Sequence, residues 1–170
     1  YRAHVATVFA HWRLAVTGLV ERPLNLSMAQ IRALPQRTQI TRHDCVEGWS
    51  AIGQWTGPQL GSILELAGLR PDARYVVFHC ADTLYDHRYY ESCDLNDAFH
   101  PQTLIAHQLN GEPLPVKNGA PLRLRLERQL GYKHAKFLTG VEAVASLASV
   151  RDGGGGCWED LAGYQWYPGI

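Results

Sequence analysis

Within the stretch His43-Asp44-Cys45-Val46-Glu47-Gly48-Trp49-Ser50 the chain brings together a thiol, an imidazole, two carboxylates and an indole. Three chemistries suit that set. Cys45 can be a buried apolar cysteine, the commonest fate of a free thiol. It can be a nucleophile with His43 as its base. It can be a thiolate ligand to one metal of a cofactor, since a soft sulfur donor suits a redox metal. The residues alone leave all three open. A second set of chemistry-bearing groups lies far downstream: Arg123 and Arg125 on an alternating stretch, then Lys133, His134 and Lys136 after Gly131. Such cations, set among glycines, suit a small anion. The plain alternative for the two arginines is a solvated strand face.

Stepping outward from Cys45, Gln36 to His43 reads as a strand that delivers the thiol to its end, and Trp55-Thr56-Gly57-Pro58 reads as a turn. Upstream, Trp12 to Val20 has the β-branched content of a strand. Ser27-Met28-Ala29-Gln30 has the form of a capping box and starts a short helix closed by Pro35. Leu60 to Ala67 carries apolar residues at helical spacing and stops at Gly68. Tyr75 to Phe78 reads as a buried strand ending at His79-Cys80, Asp82 to His87 as a polar loop, and Arg88 to Leu95 as another strand. Asp94 to Phe99 reads as a helical turn. Thr103 to Leu109 suits either state, and Asn110-Gly111 is a turn signal. Leu122, Leu124 and Leu126 alternate with Arg123 and Arg125. Val141 to Val150 reads as the last long strand, Gly153 to Gly156 as a flexible run, and residues 157–170 as an aromatic-rich tail. Short strands mixed with short helices, without regular βαβ spacing, predict an α+β fold in a single domain over residues 1–170.

Composition narrows the function classes. The chain has 170 residues, 46% of them hydrophobic, which is enough apolar material for one core. Its 16 basic side chains balance 16 acidic ones, which argues against a general nucleic-acid binder. No apolar run is long enough to span a bilayer, and no signal peptide is visible. The opening at Tyr1 rather than Met leads us to expect an N-terminal piece upstream. Cys45, Cys80, Cys93 and Cys157 form no C-x-x-C pair, so a structural zinc site is not expected; one disulfide stays open if the protein is exported.

Taken in order, several of these stretches resemble the molybdopterin-binding domain of the sulfite oxidase superfamily. They are Asp44-Cys45-Val46-Glu47-Gly48-Trp49-Ser50, Trp55-Thr56-Gly57, His100-Pro101-Gln102-Thr103-Leu104, Leu109 to Pro115, Asn118 to Arg123, and Gly131-Tyr132-Lys133-His134-Ala135-Lys136. Each is weak alone; the ordered set is specific. The chain resembles most the bacterial branch that contains the catalytic subunit of periplasmic methionine sulfoxide reductase. With 20 residues after Val150, we expect neither the immunoglobulin-like dimerisation domain of sulfite oxidases proper nor the cytochrome domain of the vertebrate enzymes.

The resemblance implies that Cys45 is the thiolate ligand of a molybdenum carried by one molybdopterin. It implies that Asn118, Arg123, His134, Ala135 and Lys136 hold the pterin and its phosphate. It places Cys80 as a cofactor neighbour, where the branch has a threonine, and sets Tyr89 near the substrate. The matching reaction is two-electron oxygen-atom transfer, with the cofactor carrying the redox step. Two departures shape the expected substrate. The run after Cys45 is acidic and aromatic where sulfite oxidases place an arginine, so a neutral sulfoxide or N-oxide fits better than sulfite. The family's N-terminal pterin-contacting segment has no match in residues 1–11, which keeps a cofactor-free binding module as an alternative, beside a thiol enzyme built on Cys45 and His43. By resemblance, we further expect a periplasmic protein (with the cytoplasm as alternative), a haem or cytochrome electron partner, and a monomer.

Overall fold

The computed structural model describes residues Tyr1–Ile170. After a short helix α1 (Arg2–Ala6), strand β1 (Arg13–Gly18) turns back into β2 (Leu24–Ser27). Helix α2 (Met28–Ala33) starts on the predicted capping box: Gln30 N–H donates to Ser27 Oγ at 3.2 Å, and Ser27 N–H donates to Gln30 Oε1 at 2.9 Å. The β3 (Gln36–Asp44) and β4 (Ser50–Pro58) strands form a long hairpin with Cys45 just past the end of β3. Helix α3 (Leu60–Ala67) buries Leu60, Ile63, Leu64 and Ala67 and ends at Gly68, whose φ of 72° suits a residue without a Cβ.

Strands β5 (Tyr75–Leu84) and β6 (His87–Asp94) form a second hairpin. Helix α4 (Leu95–Ala98) is capped by the Asp94 carboxylate. There follow β7 (Leu104–Ala106), β8 (Gln108–Leu109), β9 (Glu112–Pro113), β10 (Arg123–Arg125), β11 (Leu138–Val144) and helix α5 (Cys157–Ala162).

The largest sheet runs in the order β2-β1-β11-β5-β6. Only β1 and β11 pair in parallel. Its core-facing side chains join α2, α3 and β10 in one apolar cluster that includes Trp12, Leu14, Ile31, Ile63, Phe78, Leu124 and Val141. A second sheet, β3-β4-β8-β9, and the β10–β7 pair complete the α+β domain. All four cysteines are free thiols. No helix is long and apolar enough to cross a membrane.

Three expectations about elements are corrected. Residues 55–58 are not a turn but the end of β4. Gly57 is there because a Cβ would overlap the Ile105 carbonyl where β4 crosses β7. Residues 82–87 are not a loop: the β5–β6 ladder resumes at Thr83–Arg88 after a bulge, and only Tyr85 and Asp86 turn. The last strand ends at Val144, not Val150, and the aromatic tail contains α5.

Candidate cofactor and substrate site

The tip of the β3–β4 hairpin holds Cys45 in a tight turn. Cys45 N–H donates to the Trp49 carbonyl at 2.9 Å, and Gly48 N–H donates to the Cys45 carbonyl at 3.0 Å. Gly48 has a φ of 92°, which a glycine adopts without strain. The thiol is half-buried, 3.9 Å from the Glu47 carboxylate, which also accepts from the Trp49 indole at 3.0 Å.

Behind the tip lies a cavity of about 410 Å³, within the range of small-molecule and cofactor sites. Cys45, His43, Trp55, Asn118, Arg123 and Lys136 all line it. Strand β10 supplies the cations. Its burial overturns the solvated-face reading of the arginines: Arg123 is 4% exposed and Arg125 0%. The leucine face of β10 belongs to the main core. The arginine face stacks on Trp55, with guanidinium carbons 5.0 and 4.3 Å from its ring centroid.

The two arginines differ in how they are paired. Arg125 makes a two-pronged pair with Glu127 at 2.8 and 2.7 Å and donates to His43 Nδ1 at 2.9 Å. Arg123 donates only to two main-chain carbonyls, Asn118 at 3.0 Å and His134 at 3.4 Å. Its Nε is buried with no acceptor, and so is Trp55 Nε1. No carboxylate neutralises it directly, and burial beside Arg125 pulls its pKa down to about 9.

His43 is not placed as a base for Cys45. Because Arg125 is only a donor, His43 Nδ1 accepts and the ring carries its proton on Nε2. Burial and the Arg125, Arg123 and Lys136 charges pull its pKa down to about 4, so it is neutral at pH 7. Gly131 makes room for it: a Cβ there would sit 2.5 Å from His43 Nε2. His134 is turned inward. Its Nε2 donates to the Gln129 carbonyl at 3.0 Å, its Nδ1 faces Leu126 N–H at 3.5 Å, and burial among cations holds its pKa well below the usual range. Its carbonyl, rather than its ring, reaches Arg123. Ala135 is buried with both main-chain groups committed, to Lys133 and Leu124, whereas the Lys136 N–H has no backbone acceptor.

Tyr89 lines a smaller neighbouring cavity of about 220 Å³ with Asp82, His134 and Lys136. Its hydroxyl donates to the Tyr132 carbonyl at 2.8 Å and lies 3.2 Å from Glu91 Oε1. Cys80 is 2% exposed inside the main core and lines neither cavity. It shares with Phe78 the face of β5 that packs inward, and burial pushes its thiol well above the usual range.

Sequence reasoning missed Trp55, Tyr132, Trp158 and Tyr164 as lining residues. It also missed a fully buried ion cluster, in which Lys133 Nζ lies 2.7 Å from Glu91 and 2.5 Å from Glu159. Burial raises Glu91 to about 8 although Lys133 pulls it down. The two carboxylates therefore share one lysine, and Glu91 is the one that keeps its proton at neutral pH.

A mixed-sheet α+β fold around an open cavity lined by Arg123, Lys136 and a free cysteine suits a cofactor-binding oxidoreductase domain. The family model described as "oxidoreductase molybdopterin binding domain" matches residues 3–149, and the chain belongs to that family, within the sulfite oxidase superfamily. It is 42% identical over 160 residues to a putative protein-methionine-sulfoxide reductase subunit YedZ1 of Azospira oryzae, covering 94% of this chain and 56% of that protein. It is 34% identical over 164 residues to the protein-methionine-sulfoxide reductase catalytic subunit MsrP of Xanthomonas campestris, covering 88% and 48%. The chain thus spans about half the length of the curated relatives it matches. Its fold is similar to that of the sulfane dehydrogenase SoxCD from Paracoccus pantotrophus, at a TM-score of 0.76 and 20% identity over 84% of this chain and 40% of that one.

Proposed function

We propose that this chain is a molybdenum-cofactor oxidoreductase domain that transfers an oxygen atom to or from a small uncharged substrate of the sulfoxide or N-oxide type, with Cys45 as the protein's thiolate on the metal. One observation carries the reading. Arg123 Nε and Trp55 Nε1 are buried donors without protein acceptors, on two residues that line the same cavity as Cys45. Buried donors are normally paired, so these two fit an anionic, heteroatom-rich ligand such as molybdopterin. The donor set around Cys45 agrees. No group of three or more His, Cys, Asp or Glu side chains is arranged to hold a metal ion by itself. A metal at Cys45 therefore fits best as one that arrives with most of its ligands. When bound, the group supplies the two-electron redox chemistry of oxygen transfer.

The chain's own residues then divide the remaining work. Arg123 and Lys136 offset the cofactor's negative charge, and Asn118 offers an amide beside them. His134 and Ala135 act through the backbone that positions Arg123 and Lys136. His43 presents a neutral Nε2–H donor. Tyr89 holds a proton at its hydroxyl beside the smaller cavity. The Glu47 carboxylate near the thiol disfavours a dianion such as sulfite. Cys80, sealed in the core, bears on the site only through the strand that carries it. A periplasmic location, a haem-protein electron partner and a monomeric state accompany this reading by resemblance.

Metal and pterin analysis of protein from a cofactor-competent host tests the proposal. Equimolar molybdenum and pterin in the wild type, with molybdenum lost in Cys45→Ala, is the expected result. Correctly folded protein that takes up neither would return the weight to a cofactor-free binding module.

A further inference from the structure

The family match ends at residue 149, yet the cavity does not. Trp158 on α5 and Tyr164 just after it line the same cavity as Cys45, together with Tyr132. Their rings form one continuous surface. Trp158 and Tyr164 stack at 5.4 Å with an interplanar angle of 21°, and Tyr164 meets Tyr132 edge-on at 5.0 Å. The Tyr132 hydroxyl is committed to the Gln165 carbonyl at 2.6 Å. The Trp158 indole N–H and the Tyr164 hydroxyl have no protein acceptor, so the surface offers apolar ring faces plus two free donors.

The segment that carries these rings is fixed in place. Glu159, next to Trp158, pairs with the buried Lys133, one residue from Tyr132. The Trp166 ring lies 5.8 Å from Lys133 Nζ. Leu130 N–H donates to the Pro168 carbonyl and Ile170 N–H to the Arg128 carbonyl, each at 3.0 Å. Residues 157–170 are thus tied to the same stretch, 128–133, that leads into the cofactor-facing Lys136.

We propose that the C-terminal segment is the substrate-selecting wall of this enzyme, in which Trp158 and Tyr164 hold the organic substituent of an uncharged sulfoxide. This rests on the oxygen-transfer reading above and names what that site prefers. A sulfoxide joins a strong acceptor oxygen to two apolar groups, which matches free donors at the edges of aromatic rings. Sulfur and aromatic substituents both gain from contact with such rings. The wall carries no charge that would reward an inorganic anion. A sulfoxide with an aryl group is therefore favoured over one with two methyl groups. The overall reaction balances as R2SO + 2H+ + 2e− → R2S + H2O, the electrons coming from a reduced donor protein or dye.

The experiment compares methyl p-tolyl sulfoxide with dimethyl sulfoxide on cofactor-loaded wild type, Trp158→Leu, Tyr164→Ala and Tyr167→Ala, with a reduced viologen as electron donor. Tyr167 belongs to the same tail but does not line the cavity. The ratio of kcat/KM for the aryl over the dimethyl substrate should fall about tenfold in the first two variants, mostly through KM, and stay unchanged in Tyr167→Ala. An equal loss on both substrates would overturn the proposal and leave the segment a structural role. Ligand-observed NMR of the aryl sulfoxide separates this from the oxygen-transfer reading. If no sulfoxide is turned over, that reading fails, while aryl binding weakened by Tyr164→Ala still supports the wall. Undetectable aryl binding to the wild type overturns it.

Discussion

The tip of the β3–β4 hairpin and strand β10 face the same cavity and are built in opposite ways. At the tip, Val46, Glu47, Gly48 and Trp49 are all exposed, and Cys45 is held by two turn hydrogen bonds. On β10 every residue is buried, and both arginines stack on Trp55, Arg123 held by main-chain carbonyls and Arg125 by Glu127 and His43. The cationic end of the site is therefore preformed by the fold. The thiol end is a local feature of the hairpin turn. Within β10 the contrast repeats, because Arg125 is saturated by Glu127 and His43 whereas Arg123 keeps an unpaired Nε.

That contrast can be broken most forcefully at Arg125. Replacing it with Met leaves the Glu127 carboxylate buried without its guanidinium partner and should cost about 3–5 kcal/mol of stability in urea unfolding. The buried Lys133 cluster gives the next effect, through pH. Glu91 is raised from 4.5 to about 8, so the native state binds the extra proton between those values. Its contribution is present in full below pH 4.5 and is lost as pH rises through 8. The wild-type melting temperature should therefore decline from pH 5 to 8.5, and Glu91→Gln should flatten that decline.

Gly131→Ala probes the link between the two regions. Its Cβ would push His43 away from Arg125, and about 1–3 kcal/mol of destabilisation is expected. The smallest stability effects fall on the residues assigned to ligand holding. Arg123→Met exchanges a poorly paired buried cation for an apolar chain and should change stability by less than about 1 kcal/mol, yet pterin content should drop sharply. Cys45→Ala should leave the melting curve of cofactor-free protein within about 0.5 kcal/mol of wild type. If Arg123→Met instead destabilised as much as Arg125→Met with pterin retained, the division of labour on β10 would be wrong.

What the sequence disclosed follows the range of the interaction involved. The Ser27–Gln30 box, the Gly68 stop and the Asn110-Gly111 turn depend on near neighbours and are as read. The ordered motifs identified the family, and Cys45, Asn118, Arg123 and Lys136 do line one cavity. Gly57 misled because its smallness serves a strand crossing with Ile105, far away in sequence. The alternation at Leu122–Leu126 gave the right strand and the wrong environment, since nothing local shows that Trp55 and the β3–β4 sheet will cover the arginine face. Trp158 and Tyr164 carried no signal beyond aromaticity, because their place at the cavity depends on a helix anchored through the buried Lys133.

The parallel pairing of β1 with β11 also has a consequence for how the molecule comes into being. Val16 pairs with Val141, so the two are joined only when nearly the whole chain is available. Until then β1–β2 and β5–β6 are separate hairpins, each with an unpaired apolar edge waiting for the strand between them. Such long-range closure makes for slow folding. During synthesis, the half-built sheet keeps both edges open until β11 arrives.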